Sequence, residues 1–335
     1  MTTDFDPSGA APSDSGLFGL PHSADEARVH VLPLPFDATT SYRAGAAEGP
    51  TCILVASHQI DLFDLIFGRP YEVGIHMFEP DSRIREWNAR ARREVEALRD
   101  GGEGSIAIVD EVGVQLNAFA REATLRALDA GKLPVAVGGD HATAFGPIAA
   151  CAERHPGLGV LQFDAHADLR VAYEGFRWSH ASVSHNVLQE TDVSKLVQVG
   201  VRDLCEEEFD AIRSSEGRIH TLFDTDWARA RNHGADLRPL VRETIAQLPD
   251  EVYVTFDVDG LDPTLCPNTG TPVPGGLDWH GAMLWLEELA ASRKRIVGMD
   301  LNEVNPGPSG ATDGVDAIVG ARLLYRLIGT ALQLS

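Results

Sequence analysis

Apolar positions follow two different rhythms along this chain. Short aliphatic runs recur at Val29–Leu34, Ile106–Val109, Pro134–Val137, Gly159–Phe163, Leu196–Val199, Ile219–Phe223, Val252–Phe256 and Ile296–Met299. They are mostly continuous rather than alternating, as expected of strands buried on both faces. Between them, residues 115–130, 144–154, 205–215, 237–247, 279–291 and 314–332 carry the spacing of helices. Residues 51–66 and 81–99 also read as helices, the second with Ile84, Trp87, Ala91, Val95 and Leu98 on one face. Its arginines are expected on a solvated face, paired with the helix's own glutamates. Strand–helix alternation of this kind predicts an α/β protein with a mostly parallel sheet covered on both faces. Residues 1–24, rich in Ser, Asp, Gly, Pro and Ala, read as a mobile tail, and residues 25–335 as a single domain.

Composition narrows the range of partners. With 28 Lys+Arg against 50 Asp+Glu the net charge is −22, so the basic footprint of a nucleic-acid binder is missing. So is the basic face that draws a protein to anionic membranes. A small cationic partner suits this balance better. Cys52, Cys151, Cys205 and Cys266 stand far apart without a CxxC pair and read as reduced thiols of a cytoplasmic protein. No apolar run approaches the ~18 residues of a membrane span.

The candidate chemistry lies where the strands end. Pro134–Val137 runs into Gly138-Gly139-Asp140-His141, and Gly159–Phe163 into Asp164-Ala165-His166-Ala167-Asp168. Val252–Phe256 runs into Asp257-Val258-Asp259-Gly260-Leu261-Asp262-Pro263, and Ile296–Met299 into Asp300-Leu301-Asn302-Glu303-Val304-Asn305-Pro306. Ligands of open α/β sheets collect at the carboxyl ends of strands, so four such segments imply one shared site. In extended chain, residues two apart point the same way, which lets Asp164, His166 and Asp168 converge, and likewise Asp257 and Asp259. Carboxylates crowded in this way repel one another unless cations are present, and two divalent metals answer that need. Mixed His and carboxylate ligands suit Mn²⁺, Ni²⁺, Fe²⁺ or Zn²⁺ better than Ca²⁺ or Mg²⁺. The competing reading takes each Asp as a cap on the turn that follows its strand. His180, in Ser179-His180-Ala181-Ser182, is placed for proton transfer. Thr271, in the Thr269-Gly270-Thr271-Pro272 loop, offers a hydroxyl to the pocket. Trp178 either narrows that pocket or packs on the sheet edge.

GGDH, FDAHADLR, SHAS, FDVDGLDP with TGTPVPGG, and DLNEVNP, in this order, resemble the signatures of the ureohydrolases, the arginase and agmatinase family. The resemblance spans residues from about 28 to 332 and includes the loop FDATTSYRAGAAEGP, typical of agmatinase-type members. It implies a three-layer αβα sandwich around an eight-stranded parallel sheet, assembled as homotrimers or homohexamers. It also implies two metal ions, Mn²⁺ first and Ni²⁺ as the alternative, sharing a hydroxide. One ion would be held by His141, Asp164, Asp168 and Asp257, the other by Asp164, His166, Asp257 and Asp259. Glu303 matches the carboxylate that grips the substrate's guanidinium, His180 the proton shuttle, Thr271 a hydroxyl behind the glutamate, and Asp168 a relay to the leaving amine. Arginase-type members follow the DxHxD run with an Asn that helps hold an α-carboxylate. Arg170 stands there instead, in the form of bacterial agmatinases. Agmatine is therefore the first expectation. Guanidinobutyrate, guanidinopropionate and small guanidines follow, with arginine and formimidoylglutamate behind them. The loops at 172–178 and 307–313 would read the substrate's tail. Outside this class stand a non-catalytic subunit of a mixed oligomer and a dinuclear phosphoesterase. The intact ligand set argues against the first. The lack of phosphate-holding cations near the ligands argues against the second.

Overall fold

A computed structural model describes residues 5–310 and 312–332. The first residues of the predicted tail, the last three of the domain, and Ala311 in the 307–313 loop lie outside the described residues. The strands are β1 (Val29–Leu34), β2 (Ile75–Met77), β3 (Leu133–Gly138), β4 (Gly159–Phe163), β5 (Lys195–Val199), β6 (Ile219–Leu222), β7 (Glu251–Asp257) and β8 (Arg295–Asn302). They form an eight-stranded sheet in the order β2-β1-β3-β8-β7-β4-β5-β6, and every pairing is parallel. Such strands carry apolar side chains on both faces because helices cover both.

On one face, α2 (Ser82–Arg99), α3 (Ile106–Asp129), α4 (Phe145–Arg154) and α5 (Val183–Glu190) pack in sequence against one another. On the other, α1 (Gly49–Ser57), α8 (Arg238–Ile245), α9 (Trp279–Ala291) and α10 (Val315–Leu332) pack in the spatial order α1-α10-α9-α8. The shorter α6 (Glu206–Ser214) and α7 (Asp224–Asn232) flank the β5–β6 edge of the chain. The result is the expected three-layer α/β sandwich, with Phe163 stacked on Phe256 and met edge-on by Trp285 in its core. Among the described residues, no helix is long and apolar enough to cross a membrane.

Four local expectations change. Ile106–Val109 is not a strand but the first turn of α3: the Ser105 hydroxyl accepts from the Ile108 amide, and Val109, Val112, Leu116 and Ala120 form one buried face. A strand and the start of a buried helix look alike over four apolar residues, and here the cap decides. The helix read at 51–66 stops at Ser57. β8 runs three residues further than its apolar core, because Asp300 and Asn302 pair as strand residues with Thr255 and Asp257. The arginines of α2 do not pair with its own glutamates: Arg85 meets Glu48, Arg90 meets Glu111, Arg92 meets Asp37 and Arg99 meets Glu174.

The stretch read as a tail also changes at its end. Leu17, Phe18 and Leu20 are buried, the Phe18 ring meets Tyr325 edge-on at 4.8 Å, and its amide donates to Ser57 Oγ at 2.8 Å. Three large apolar side chains there outweigh the polar composition around them. Phe18→Ala is expected to cost about 3–5 kcal/mol in denaturant unfolding, the usual range for emptying a buried aromatic site. A change below about 0.5 kcal/mol would mean that residues 17–20 are an ornament rather than part of the core.

Candidate functional site

The centre of the sheet, β3-β8-β7-β4, carries at its carboxyl ends the four segments singled out above. Its register explains why they meet. Asp300, Thr255, Gln162, Gln198 and Thr221 are cross-strand partners in one row over five strands, β8, β7, β4, β5 and β6. Two residues on, and therefore on the same face, stand Asn302, Asp257 and Asp164. A polar row thus lies beneath the carboxylates and supports them. Gln162 Nε2 donates to Asp164 Oδ2 at 2.8 Å, while its Oε1 accepts from Ser184 and Gln198.

His141, on the one-turn helix after β3, faces this row. Its Nδ1 lies 2.9 Å from Asp164 Oδ2, 2.9 Å from Asp168 Oδ2 and 3.5 Å from Asp257 Oδ2. His166 Nδ1 lies 3.0 Å from Asp259 Oδ2 and 3.5 Å from Asp164 Oδ1. Two groups able to hold a metal result, His141–Asp164–Asp168 and Asp164–His166–Asp259, with Asp164 common to both. Asp257 belongs to neither triplet and joins the cluster through its approach to His141. The turn-cap reading is true of the same residues: Asp164 Oδ1 accepts from the His166 amide at 2.7 Å and Asp257 Oδ1 from the Asp259 amide at 2.8 Å. In each, one oxygen closes a turn and the other faces His141.

The donor set fits metal ions. His141 Nε2 lies 2.8 Å from Thr255 Oγ1, and that hydroxyl gives its hydrogen to Asp300 Oδ1 at 2.7 Å. Nε2 must therefore carry a proton, while Nδ1 faces three carboxylates. Without ions, burial disfavours the charged ring, but Asp164 and Asp168 outweigh it and raise His141 well above its ordinary value. A proton or a metal ion must stand between Nδ1 and those oxygens, and with Nε2 already protonated the ring is set to offer Nδ1 to a metal ion in the proton's place. Ligands held by one ion at about 2.1 Å lie roughly 3–3.4 Å apart, the spacing seen here. Without ions, burial and the neighbouring Asp164 push the Asp168 carboxyl up to about 7. Burial, then Asp259, Asp164 and Glu303, raise Asp257 well above the usual carboxylate range. Four carboxylates, Asp164, Asp168, Asp257 and Asp259, crowd against two imidazoles. This excess of negative charge is relieved by protons, as those raised values describe, or by divalent cations, which suit the donor set.

Glu303 follows β8 in the left-handed backbone region (φ 65°), as does Asp168 (φ 53°), so both hold strained conformations. Glu303 Oε1 accepts from the His141 amide at 3.0 Å, whereas buried Oε2 has no hydrogen-bond partner. Burial, then Asp140 and Asp259, raise its carboxyl well above the ordinary range. Gly270 passes so close that a Cβ there would stand 3.0 Å from Oε2. Thr271 Oγ1 lies 3.4 Å from Asp259 Oδ2, so it faces a cluster carboxylate rather than the glutamate.

A cavity of about 310 Å³ opens onto the cluster, with His166, Asp168, His180 and Thr271 in its wall and Arg170, Asp203 and Glu208 farther along its lining. Glu303 and Asp257 do not line it. His180 is pushed down to about 3 by burial first, then by His166, His141 and Arg99, so it is neutral at physiological pH. Trp178 lies outside the lining and packs on Phe145. Thr255, Asp300, Gln162 and Thr39 were not visible as site residues. Thr255, Asp300 and Gln162 carry one signal, a polar side chain inside an apolar strand, whereas Thr39 lies in the loop after β1 and carries none.

Residues 27–329 match the model of the arginase family. Over 306 residues the chain is 35% identical to N(1)-aminopropylagmatine ureohydrolase of Thermus thermophilus, covering 91% of this chain and 90% of that one. It is 30% identical over 303 residues to agmatinase of Pyrococcus horikoshii, covering 90% and 92%. Proclavaminate amidino hydrolase from Streptomyces clavuligerus superposes with a TM-score of 0.73 over 98% of this chain and all of that one, at 23% identity, which is a likeness of fold.

Proposed function

The chain belongs to the arginase family, and from that membership we propose that it hydrolyses agmatine to urea and putrescine at two metal ions. His141, Asp164, Asp168 and Asp257 would hold one, and Asp164, His166, Asp257 and Asp259 the other. Two divalent ions there, Mn²⁺ or else Ni²⁺, would neutralise the carboxylates and make a hydroxide available near neutral pH. The observation that carries the reading is the buried Glu303 Oε2, a carboxyl oxygen without a partner beside that cluster, whose ionised form two metal ions and a cationic guanidinium would favour.

The chain's own groups then divide the work. Ionised Glu303 takes two guanidinium N–H groups and holds the central carbon in line. As water adds to that carbon, its C–N bond to the alkyl chain breaks and the departing nitrogen takes a proton. His180, neutral and in the cavity wall, moves protons between site and solvent, and Asp168 in the same wall passes one to the leaving amine. The lining supports a cationic tail over a carboxylate: it offers Asp203, and its Arg170 is occupied by Glu208 at 3.7 Å and by the Tyr173 ring.

A second reading, N(1)-aminopropylagmatine, is favoured by the relatives of that name at 30–35% identity, three of them at 33–35%, against 29–30% for the agmatinases. A urea-release screen of the Mn²⁺- and Ni²⁺-loaded protein decides between them. Agmatine, N(1)-aminopropylagmatine, guanidinobutyrate and arginine are the arms. A higher kcat/KM for arginine or guanidinobutyrate would sink both readings. His180→Asn is expected to lower kcat by about 10²- to 10⁴-fold with KM and metal content retained, the range of a lost general acid–base.

A further inference from the structure

We propose that Thr39, backed by Asp140, is the positioning residue of His180 and selects which of its ring nitrogens carries the proton. The inference rests on the reading of His180 as a proton carrier. It follows from the hydrogens available. A threonine hydroxyl has one hydrogen and two lone pairs. Thr39 Oγ1 gives its hydrogen to Asp140 Oδ2 at 2.8 Å, and the same oxygen of Asp140 also accepts the Thr39 amide at 3.0 Å. Only lone pairs then remain for His180. One accepts the His180 amide at 3.1 Å, and the other faces His180 Nδ1 at 3.3 Å. Nδ1 must therefore be the protonated nitrogen. Nε2 keeps the lone pair with which the ring takes a proton.

The neighbours hold this arrangement rigidly. The Tyr173 ring meets the imidazole edge-on at 5.7 Å and 84°. The loop carrying Thr39 is pinned from α2: Arg99 donates to the Thr40 carbonyl at 3.0 Å, and Asp37 accepts from Asn88 at 3.0 Å and pairs with Arg92 at 2.6 Å. The arginines of α2 thus have a purpose beyond solubility. They fix a loop that reaches His180 from 141 residues away in sequence. Thr39 is buried and lies outside the cavity lining, and its side chain bonds to Asp140 and His180, so it would act through the histidine.

The test uses the metal-loaded enzyme with agmatine, or the best substrate of the panel. Thr39→Val, which keeps the shape and removes the hydroxyl, is expected to lower kcat about 10- to 100-fold, the usual cost of losing such a supporting partner. KM and metal content should stay within about twofold of wild type. Thr39→Ser should recover kcat to within about threefold of wild type, since the hydroxyl is the working part. If Thr39 acts through His180, Thr39→Val adds nothing to His180→Asn, and the double variant matches the single one. A wild-type kcat in Thr39→Val, an equal loss in Thr39→Ser, or additive losses in the double variant each overturn the proposal alone. A wild-type rate in His180→Asn instead removes the reading beneath it. Should Thr39→Val not fold, Thr39→Ala carries the same comparisons.

Discussion

Asp164→Ala is expected to lose metal and turnover together. Asp164 is the carboxylate common to both triplets, with its two oxygens directed at His141 and His166. Its removal takes a ligand from each ion at once and leaves Gln162 Nε2 without its acceptor. Turnover should fall by about 10³-fold or more, beyond the cost of a single lost electrostatic contact. Metal analysis should show both ions reduced. Thermal unfolding provides a readout independent of activity. A ligand that binds only the native state stabilises it by about 2.7 kcal/mol at a hundred times its Kd. Added Mn²⁺ should therefore raise the wild-type Tm and leave that of the variant in place. Full metal content with full turnover in Asp164→Ala would end the dinuclear reading.

Glu303→Gln is expected to behave differently, and the difference is informative. Glutamine keeps an oxygen to accept the His141 amide, so the fold and the ligand set should be preserved. What disappears is the charge on an oxygen that has no partner of its own. A guanidinium loses a charge-assisted pair, and kcat/KM should drop by about 10²- to 10⁴-fold with metal content unchanged. Because the carboxylate is buried and half-satisfied, its replacement should not lower the Tm. A variant that loses metal, or keeps wild-type kcat/KM, would remove Glu303 from substrate binding.

The two variants separate the two halves of the site. One half concentrates negative charge until cations are required. The other presents a single carboxylate oxygen with nothing to satisfy it. An overall charge of −22 predicts neither, since most of that charge is spread over the surface. Placement at strand ends decides the chemistry.

Local chemistry was legible wherever the causes lie within a few residues. The apolar runs of β3, β4 and β7, the alternation of Asp164, His166 and Asp168, and the spacing of Asp257 and Asp259 depend on the period of extended chain. They announce a metal-holding cluster before any contact is known. The boundaries that failed are those where local pattern is ambiguous. Ile106–Val109 needed the Ser105 cap to become helix, Asp300 and Asn302 looked like loop because they are polar, and Leu17–Leu20 needed Tyr325 to bury against. The sequence by itself therefore determined the α/β class, the family and the six residues brought forward as ligands. Only the tertiary structure decided that Thr255 and Asp300 orient His141, that Gln162 and Gln198 brace Asp164, and that Thr39 meets His180. The reason is physical: those contacts follow from the strand order β1-β3-β8-β7-β4-β5, its register and the loops at its carboxyl ends, which bring together residues that no local period connects.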